Sequence, residues 1–215
     1  MNFNHFKKIL PKIAKIQLPG VDSQLKMAPA IRQEEIRSME KQMKNSRKSA
    51  VMALFYPNAY YETTLVLILR KTYKGVHSNQ VGFPGGQVDP EDEDYIATAL
   101  RETEEEVGVD RTAITIVKEL TATYIPPSNF TVQPFLGILE DTPQFVPQAS
   151  EVEEIIEVSL KDLLSEETII EKELSTSYAK KIKVPSFYLN KYVVWGATAM
   201  MLSEVKDVIS EAISN

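Results

Sequence analysis

The chain has 215 residues, 43% of them hydrophobic, which is enough for one well-buried core and an extension. A formal net charge of -6 excludes a general attraction to nucleic acid or anionic membrane, and the absence of Cys excludes disulfides and thiol catalysis. The apolar segment 193–202 is too short to span a bilayer and no signal-peptide core follows Pro11, so a cytoplasmic protein is expected.

From about Asn4 to Ser46 the chain is rich in Lys, Gln, Glu and Met, with helical spacing that Pro11, Pro19 and Pro29 are expected to break. Residues 1–48 therefore read as a helical extension, expected either to cover the core or to mediate homodimerisation, ahead of a main domain over 49–215. Residues 50–56 and 64–70 are β-rich runs around the turn signal Pro57-Asn58 and predict a strand pair. Residues 80–87 begin extended and end in the glycine turn Gly85-Gly86. After an acidic helix, strands are expected over 114–124 and 131–139, joined by Pro126-Pro127-Ser128-Asn129, with a further short strand over 155–158. A short helix over 160–164, a strand over 187–194 and an amphipathic helix over 197–213 complete the pattern. Its apolar side would be Ala199, Leu202, Val205, Ile209 and Ile213. The order of elements predicts a mixed sheet between helices.

The chemistry concentrates in Phe83-Pro84-Gly85-Gly86 and the helix that follows, Arg101-Glu102-Thr103-Glu104-Glu105-Glu106-Val107-Gly108-Val109. At 100° per residue, Ile96, Leu100, Thr103 and Val107 form a stripe for the core, while Glu102, Glu105 and Glu106 gather on another face. Glu104 points away from both groups and reads as a solvated charge. Carboxylates held side by side repel, which raises at least one pKa until a cation relieves the repulsion. Such hard oxygen donors suit Mg2+ or Mn2+, whose shells are shared with substrate phosphates. Gly85 and Gly86 permit close approach of a main-chain carbonyl or a phosphate. Gly108 reads as the residue closing the helix, and Arg101 as a brace for neighbouring carboxylates. An acidic run alone is more often a solvated helix face; the joint spacing of glycines, Arg-Glu and Glu-Glu points to a metal site instead. An EF-hand over 89–94 fails for want of its glycine and terminal Glu.

This combination resembles the Nudix box, G-x5-E-x7-R-E-U-x-E-E-x-G-U with U apolar. The second half matches except that Thr103 takes an apolar place, while six positions instead of five separate Gly86 from Glu93, so Asp92 competes with Glu93 for the first acidic position. The resemblance implies an α/β (α+β) Nudix α/β/α sandwich with a mixed sheet and an N-terminal helical extension. It also implies a Mg2+- or Mn2+-dependent hydrolase that cleaves a nucleoside diphosphate linked to another group. On that basis Glu102, Glu105, Glu106 and the Gly86 carbonyl are expected to hold metal, with Arg101, Glu105 and Glu106 in the catalytic set. Glu151, just before the strand over 155–158, is the leading candidate for a general base outside the box; its bland reading is a solvent-exposed loop acid.

Arg70 and the segment running through His77 into Phe83-Pro84-Gly85-Gly86 look like the branch of this family that cleaves coenzyme A. The spacing from Arg70 to Phe83 and the whole Phe-Pro-Gly-Gly agree, whereas Ile68, Lys71, Gly75 and Asn79 depart from the branch pattern. Where the branch has a second Arg, Lys71 or Lys74 would substitute, without a bidentate guanidinium contact. Arg70, Lys71, Lys74, His77, Phe83 and Gly85 are thus the expected substrate-binding residues. Coenzyme A or an acyl derivative is the expected small-molecule partner, with no nucleic acid and no membrane. The alternatives are a pyrophosphatase for ADP-ribose, dinucleotides or nucleoside triphosphates, and a non-catalytic nucleotide sensor, which the persistence of the box acids disfavours. An isopentenyl diphosphate isomerase of this fold recruits a Cys that the chain lacks, and no basic-aromatic tract supports RNA decapping.

Overall fold

A computed structural model describes residues 1–71, 79–174 and 181–214. Its helices are α1 (Phe3–Lys15), α2 (Val21–Leu25), α3 (Gln33–Arg37), α4 (Glu40–Lys44), α5 (Tyr95–Val107), α6 (Leu160–Leu164) and α7 (Gly196–Ser214). The strands are β1 (Arg47–Pro57), β2 (Thr63–Arg70), β3 (Val81–Gly82), β4 (Gly85–Gln87), β5 (Thr115–Glu119), β6 (Thr123–Ile125), β7 (Phe130–Ile138), β8 (Val152–Ser159), β9 (Ile169–Leu174), β10 (Ile182–Leu189) and β11 (Tyr192–Val194).

β1 and β2 form the expected antiparallel pair, with Phe55 opposite Leu65. β1 also runs parallel to β7, which makes the sheet mixed; its spine is β3-β2-β1-β7-β5, with β4 on β1, β6 on β7 and β8 on β2. Alternation along β1 sorts its side chains by face. Val51, Ala53 and Phe55 enter a cluster with α1 and α7, whereas Ala50, Met52, Leu54 and Tyr56 meet Ala99 and Val107 of α5. The sheet thus lies between α5 and the layer of α1, α2 and α7. Among the described residues, no helix is long and apolar enough to cross a membrane.

Several elements differ from the sequence expectation. Pro11 does not end a helix; it sits inside α1, at an exposed position where the carbonyl it leaves unpaired can take water. The strand expected over 114–124 splits into β5 and β6, both paired with β7, because Pro134 of β7 has no N–H to give the Leu120 carbonyl, which accepts from the Gln133 side-chain amide at 2.7 Å instead. The strand expected over 187–194 is a hairpin of β10 and β11, with Asn190 and Lys191 at φ 43° and 72° in its turn. β9, unforeseen, pairs with β10 to complete a separate antiparallel sheet.

The closing helix is buried on nearly every side: Met200, Met201, Ser203, Glu204 and Lys206 join its apolar residues, and Ile213 is 43% exposed instead of facing the body. The reason is the N-terminal segment, which covers the side of α7 that a periodicity argument leaves to solvent. Glu204, fully buried, accepts from the N–H of Gly20 (3.2 Å), the N–H of Thr121 (3.0 Å) and the Thr121 hydroxyl (2.5 Å). These bonds tie α7 to the residue before α2 and to the β5–β6 connection, and they satisfy a carboxylate that would otherwise be costly to bury.

Candidate active site

Phe83 is buried in the hydrophobic cluster, and the Pro84 carbonyl accepts from the Met52 N–H at 2.9 Å, so the chain enters the glycine turn fixed at both points. β4 then pairs with β1, placing Gly85 opposite Val51 and Gly86 opposite Ala50. Gly85 has φ 147°, and a Cβ there would overlap the Ala50 carbonyl and stand 2.6 Å from the Val51 Cα. A Cβ on Gly86 would overlap the carboxylate of Glu102. One glycine is therefore required by the sheet, the other by an acid of the neighbouring helix.

That helix, α5, begins at Asp94, whose side chain accepts from the Ala97 N–H at 2.8 Å, and ends at Gly108 with φ 75°. Between these caps Thr98, Ala99, Thr103 and Val107 are buried, so the helix cannot rotate without exposing its apolar side. On the remaining face Glu102 and Glu106 reach the turn, while Glu105 is exposed and meets Arg101. Glu106 is 1% exposed; one oxygen accepts from the Gly85 N–H at 2.7 Å, while Oε1 has no hydrogen-bond partner. Arg101 Nη1 donates to Glu102 at 2.9 Å and to Glu105 at 3.4 Å. Its Nε and Nη2 form a fork on Asp92 at 2.9 and 2.8 Å, and Nη2 also reaches the Gln87 carbonyl at 3.3 Å. Asp92, one of the two contenders for the first acidic position, thus anchors Arg101, while Glu93 is exposed. Glu104 pairs with Arg111 at 2.6 Å on the far side of α5.

Burial, before repulsion, shifts the acids. The Glu106 carboxyl is pushed up to about 7, first by burial; Arg70 and the Gly85 N–H oppose the rise, and Glu102 and Glu151 add to it. Glu102 is raised for the same leading reason, with Glu105 and Glu151 contributing and Arg101 opposing. The forked guanidinium holds the Asp92 carboxyl well below the usual carboxylate range.

Glu151 is far from α5 in sequence but close in space, and the reason lies in the backbone. The Gln148 N–H donates to the Glu106 carbonyl at 3.0 Å, and the Val152 N–H to the Gln148 carbonyl at 2.9 Å. The loop is thereby pinned to the end of α5, and the Lys71 N–H bonds the Glu151 carbonyl at 2.9 Å. Arg70, at the end of β2, donates to the Gly85 carbonyl at 2.6 Å and lies 3.4 Å from Glu106 Oε1. Lys74 and His77 lie outside the described residues. Phe130, at the start of β7, has the Arg47 guanidinium 4.1 Å above its ring.

These residues suit a divalent cation. The buried Oε1 of Glu106 accepts no hydrogen bond and is met at 3.4 Å by the Arg70 charge, an arrangement a closer cation would improve, and Glu102 occupies the space that a side chain at position 86 would fill. Among the described residues no three acids already enclose a common point. Glu102 and Glu105 are instead drawn to Arg101, and Glu106 to Gly85, as expected where protein donors are the available partners.

A family model described as the NUDIX domain matches residues 46–178. The chain is 31% identical over 149 residues to the Uncharacterized Nudix hydrolase NudL of Yersinia pestis (strain Pestoides F), covering 69% of this chain and 74% of that protein. Among solved structures it is similar to a Nudix hydrolase from M. smegmatis, RenU, with a TM-score of 0.54 at 13% identity, covering 77% of this chain and 87% of that one. A MutT/nudix family protein from Enterococcus faecalis gives 0.52 at 18% identity, covering 79% of this chain and 63% of the other. At such identities the two structures show the shared fold alone.

Proposed function

The chain belongs to the Nudix hydrolase family, and on that premise we propose that it hydrolyses the diphosphate of coenzyme A or an acyl-CoA to adenosine 3′,5′-bisphosphate and 4′-(acyl)phosphopantetheine. The observation that supports a hydrolytic site best is Glu106 buried against the Gly85 N–H and Glu102 packed over Gly86, with one buried carboxylate oxygen that accepts no hydrogen bond. The choice of coenzyme A rests on the resemblance from Arg70 to Gly86, together with the position of Arg70 beside the buried acid.

Nudix hydrolases generally use divalent metals such as Mg2+ or Mn2+. Glu102, Glu105, Glu106 and the Gly86 carbonyl would hold the ion, which would neutralise the diphosphate and make the attacking water more acidic. Arg101 keeps Glu102 and Glu105 on one side of the turn, and Asp92 keeps Arg101 in place. The Glu151 carboxylate accepts the proton from water as its oxygen forms the new bond to phosphorus. The bond from phosphorus to the bridging oxygen breaks, and that oxygen leaves with the electron pair on the other phosphate. Phe83, buried in the hydrophobic cluster, acts on the substrate only through the turn it anchors, and Lys71 stands beside Glu151.

A substrate panel tests this reading: coenzyme A, an acyl-CoA, ADP-ribose, a dinucleotide and a nucleoside triphosphate, each with Mg2+ or Mn2+, with products identified in isotopic water. Catalytic efficiency on coenzyme A above all nucleotide competitors is expected. Equal or better efficiency on ADP-ribose overturns the substrate, and binding without product under every metal condition favours a sensor.

A further inference from the structure

Arg70 occupies a position with two unequal sides. Its Nη2 donates to the Gly85 carbonyl at 2.6 Å and stands 3.4 Å from Oε1 of Glu106, an oxygen that accepts no hydrogen bond. The guanidinium therefore balances the charge of Glu106 without closing a bond to it. Its Nε and Nη1 have no partner among the described residues, and the side chain is 26% exposed. Gly82 presents no side chain to Nε: a Cβ there would lie 3.8 Å from it, in ordinary contact, and 4.0 Å from the Thr198 hydroxyl on α7. A guanidinium keeps its charge throughout the working pH range, so proton loss cannot remove it when a second cation arrives.

We infer that Arg70 is an exchangeable counter-ion: it holds the cation's place beside Glu106 until a divalent ion binds, and then delivers its free nitrogens to a phosphoryl oxygen of the substrate. The inference rests on the reading of Glu106 as a metal-holding residue. Two cations cannot both take one carboxylate oxygen at short range without strong repulsion. The bond to the Gly85 carbonyl limits how far the guanidinium retreats, so it stays beside the glycine turn, where a diphosphate would lie. Metal alone must displace Arg70; metal with an anionic substrate gives the displaced charge a partner. Metal and substrate therefore strengthen each other's binding, and Arg70 carries part of that coupling.

Mn2+ titrations of the metal-free full chain, read by electron paramagnetic resonance of the free ion, test this directly. Arg70→Gln is expected to bind Mn2+ at least about fivefold more tightly than wild type, the low end of ordinary coupling between sites. It should also lose most of the tightening that adenosine 5′-(α,β-methylene)diphosphate produces in wild type. Arg70→Lys keeps a cation there, so its Mn2+ affinity should stay near that of wild type while KM rises. Unchanged or weaker Mn2+ binding in a folded Arg70→Gln protein overturns the inference. If that variant does not fold, Arg70→Lys decides: binding as tight as that expected of Arg70→Gln overturns it, and wild-type affinity with a raised KM supports it. Failure of wild type to cleave coenzyme A sinks only the substrate reading, whereas undiminished Mn2+ binding by Glu106→Gln sinks the metal assignment beneath both.

Discussion

Glu106→Gln removes a titration from the most buried acid of the site while nearly keeping its shape. In the unfolded chain that carboxyl titrates near its ordinary value of 4.5, whereas in the metal-free fold it is pushed up to about 7, chiefly by burial. Between those values the folded state binds more protons than the unfolded one, so stability is greatest at the acid end of the window and falls as pH rises through about 7. Integrated from pH 5 to 8, the shift corresponds to about 2–3 kcal/mol, or about 5–10 °C in Tm for a chain of this size. Thermal unfolding in a chelating buffer at several pH values should show this decline in wild type and lose most of it in Glu106→Gln. Adding Mg2+ or Mn2+ at pH 8 should restore stability to wild type alone, because the ion binds the carboxylate form. Turnover of the variant should fall by about two to three orders of magnitude or more while the fold persists. A metal-free wild type whose Tm does not decline over this range, or a Gln variant with the same slope, would refute the electrostatic argument. Near-normal activity of the variant at saturating Mg2+ would refute the chemical one.

Gly86→Ala should lower kcat far more than stability, because its Cβ displaces the Glu102 side chain, whereas Gly85→Ala should destabilise the fold by about 2–4 kcal/mol because its Cβ meets the backbone of β1. Activity and urea unfolding measured on both variants separate the two outcomes. Arg101→Gln strips Asp92 of its forked partner and should cost about 2–3 kcal/mol, discounted for the partial exposure of the guanidinium. Since the Asp92 carboxyl is depressed, that contribution is present above its ordinary value of 3.8 and is lost as pH falls through the folded value, so the variant should show a shallower acid limb in urea unfolding. Glu151→Gln should reduce kcat by about 10²- to 10⁴-fold with Mn2+ affinity unchanged within a factor of about two. A large loss of Mn2+ affinity would move Glu151 from proton acceptor to metal ligand.

The local code of the chain was legible as written. The 3.6-residue period of α5 separates Thr103 and Val107 from Glu102, Glu105 and Glu106, Gly108 closes that helix, and alternation and turn residues located β1, β2 and β7. Less was legible where an element depends on a distant partner. Asn190-Lys191 in left-handed conformations and the edge strand β9 carry weak local signals and are fixed by pairing with β10. The all-round burial of α7 follows from a segment more than a hundred residues earlier in the chain. Within the site, spacing alone left Asp92 and Glu93 as rivals, and the Arg101 fork distinguishes them. The placement of Glu151 beside Glu106 needs the backbone bonds of Gln148 and Val152. Sequence thus determined which acids share a helix face, since that geometry is set by bonds a few residues long. Which acid is buried, which oxygen accepts no hydrogen bond and which arginine stands before it were decided only when the sheet brought remote segments together and removed the water between them.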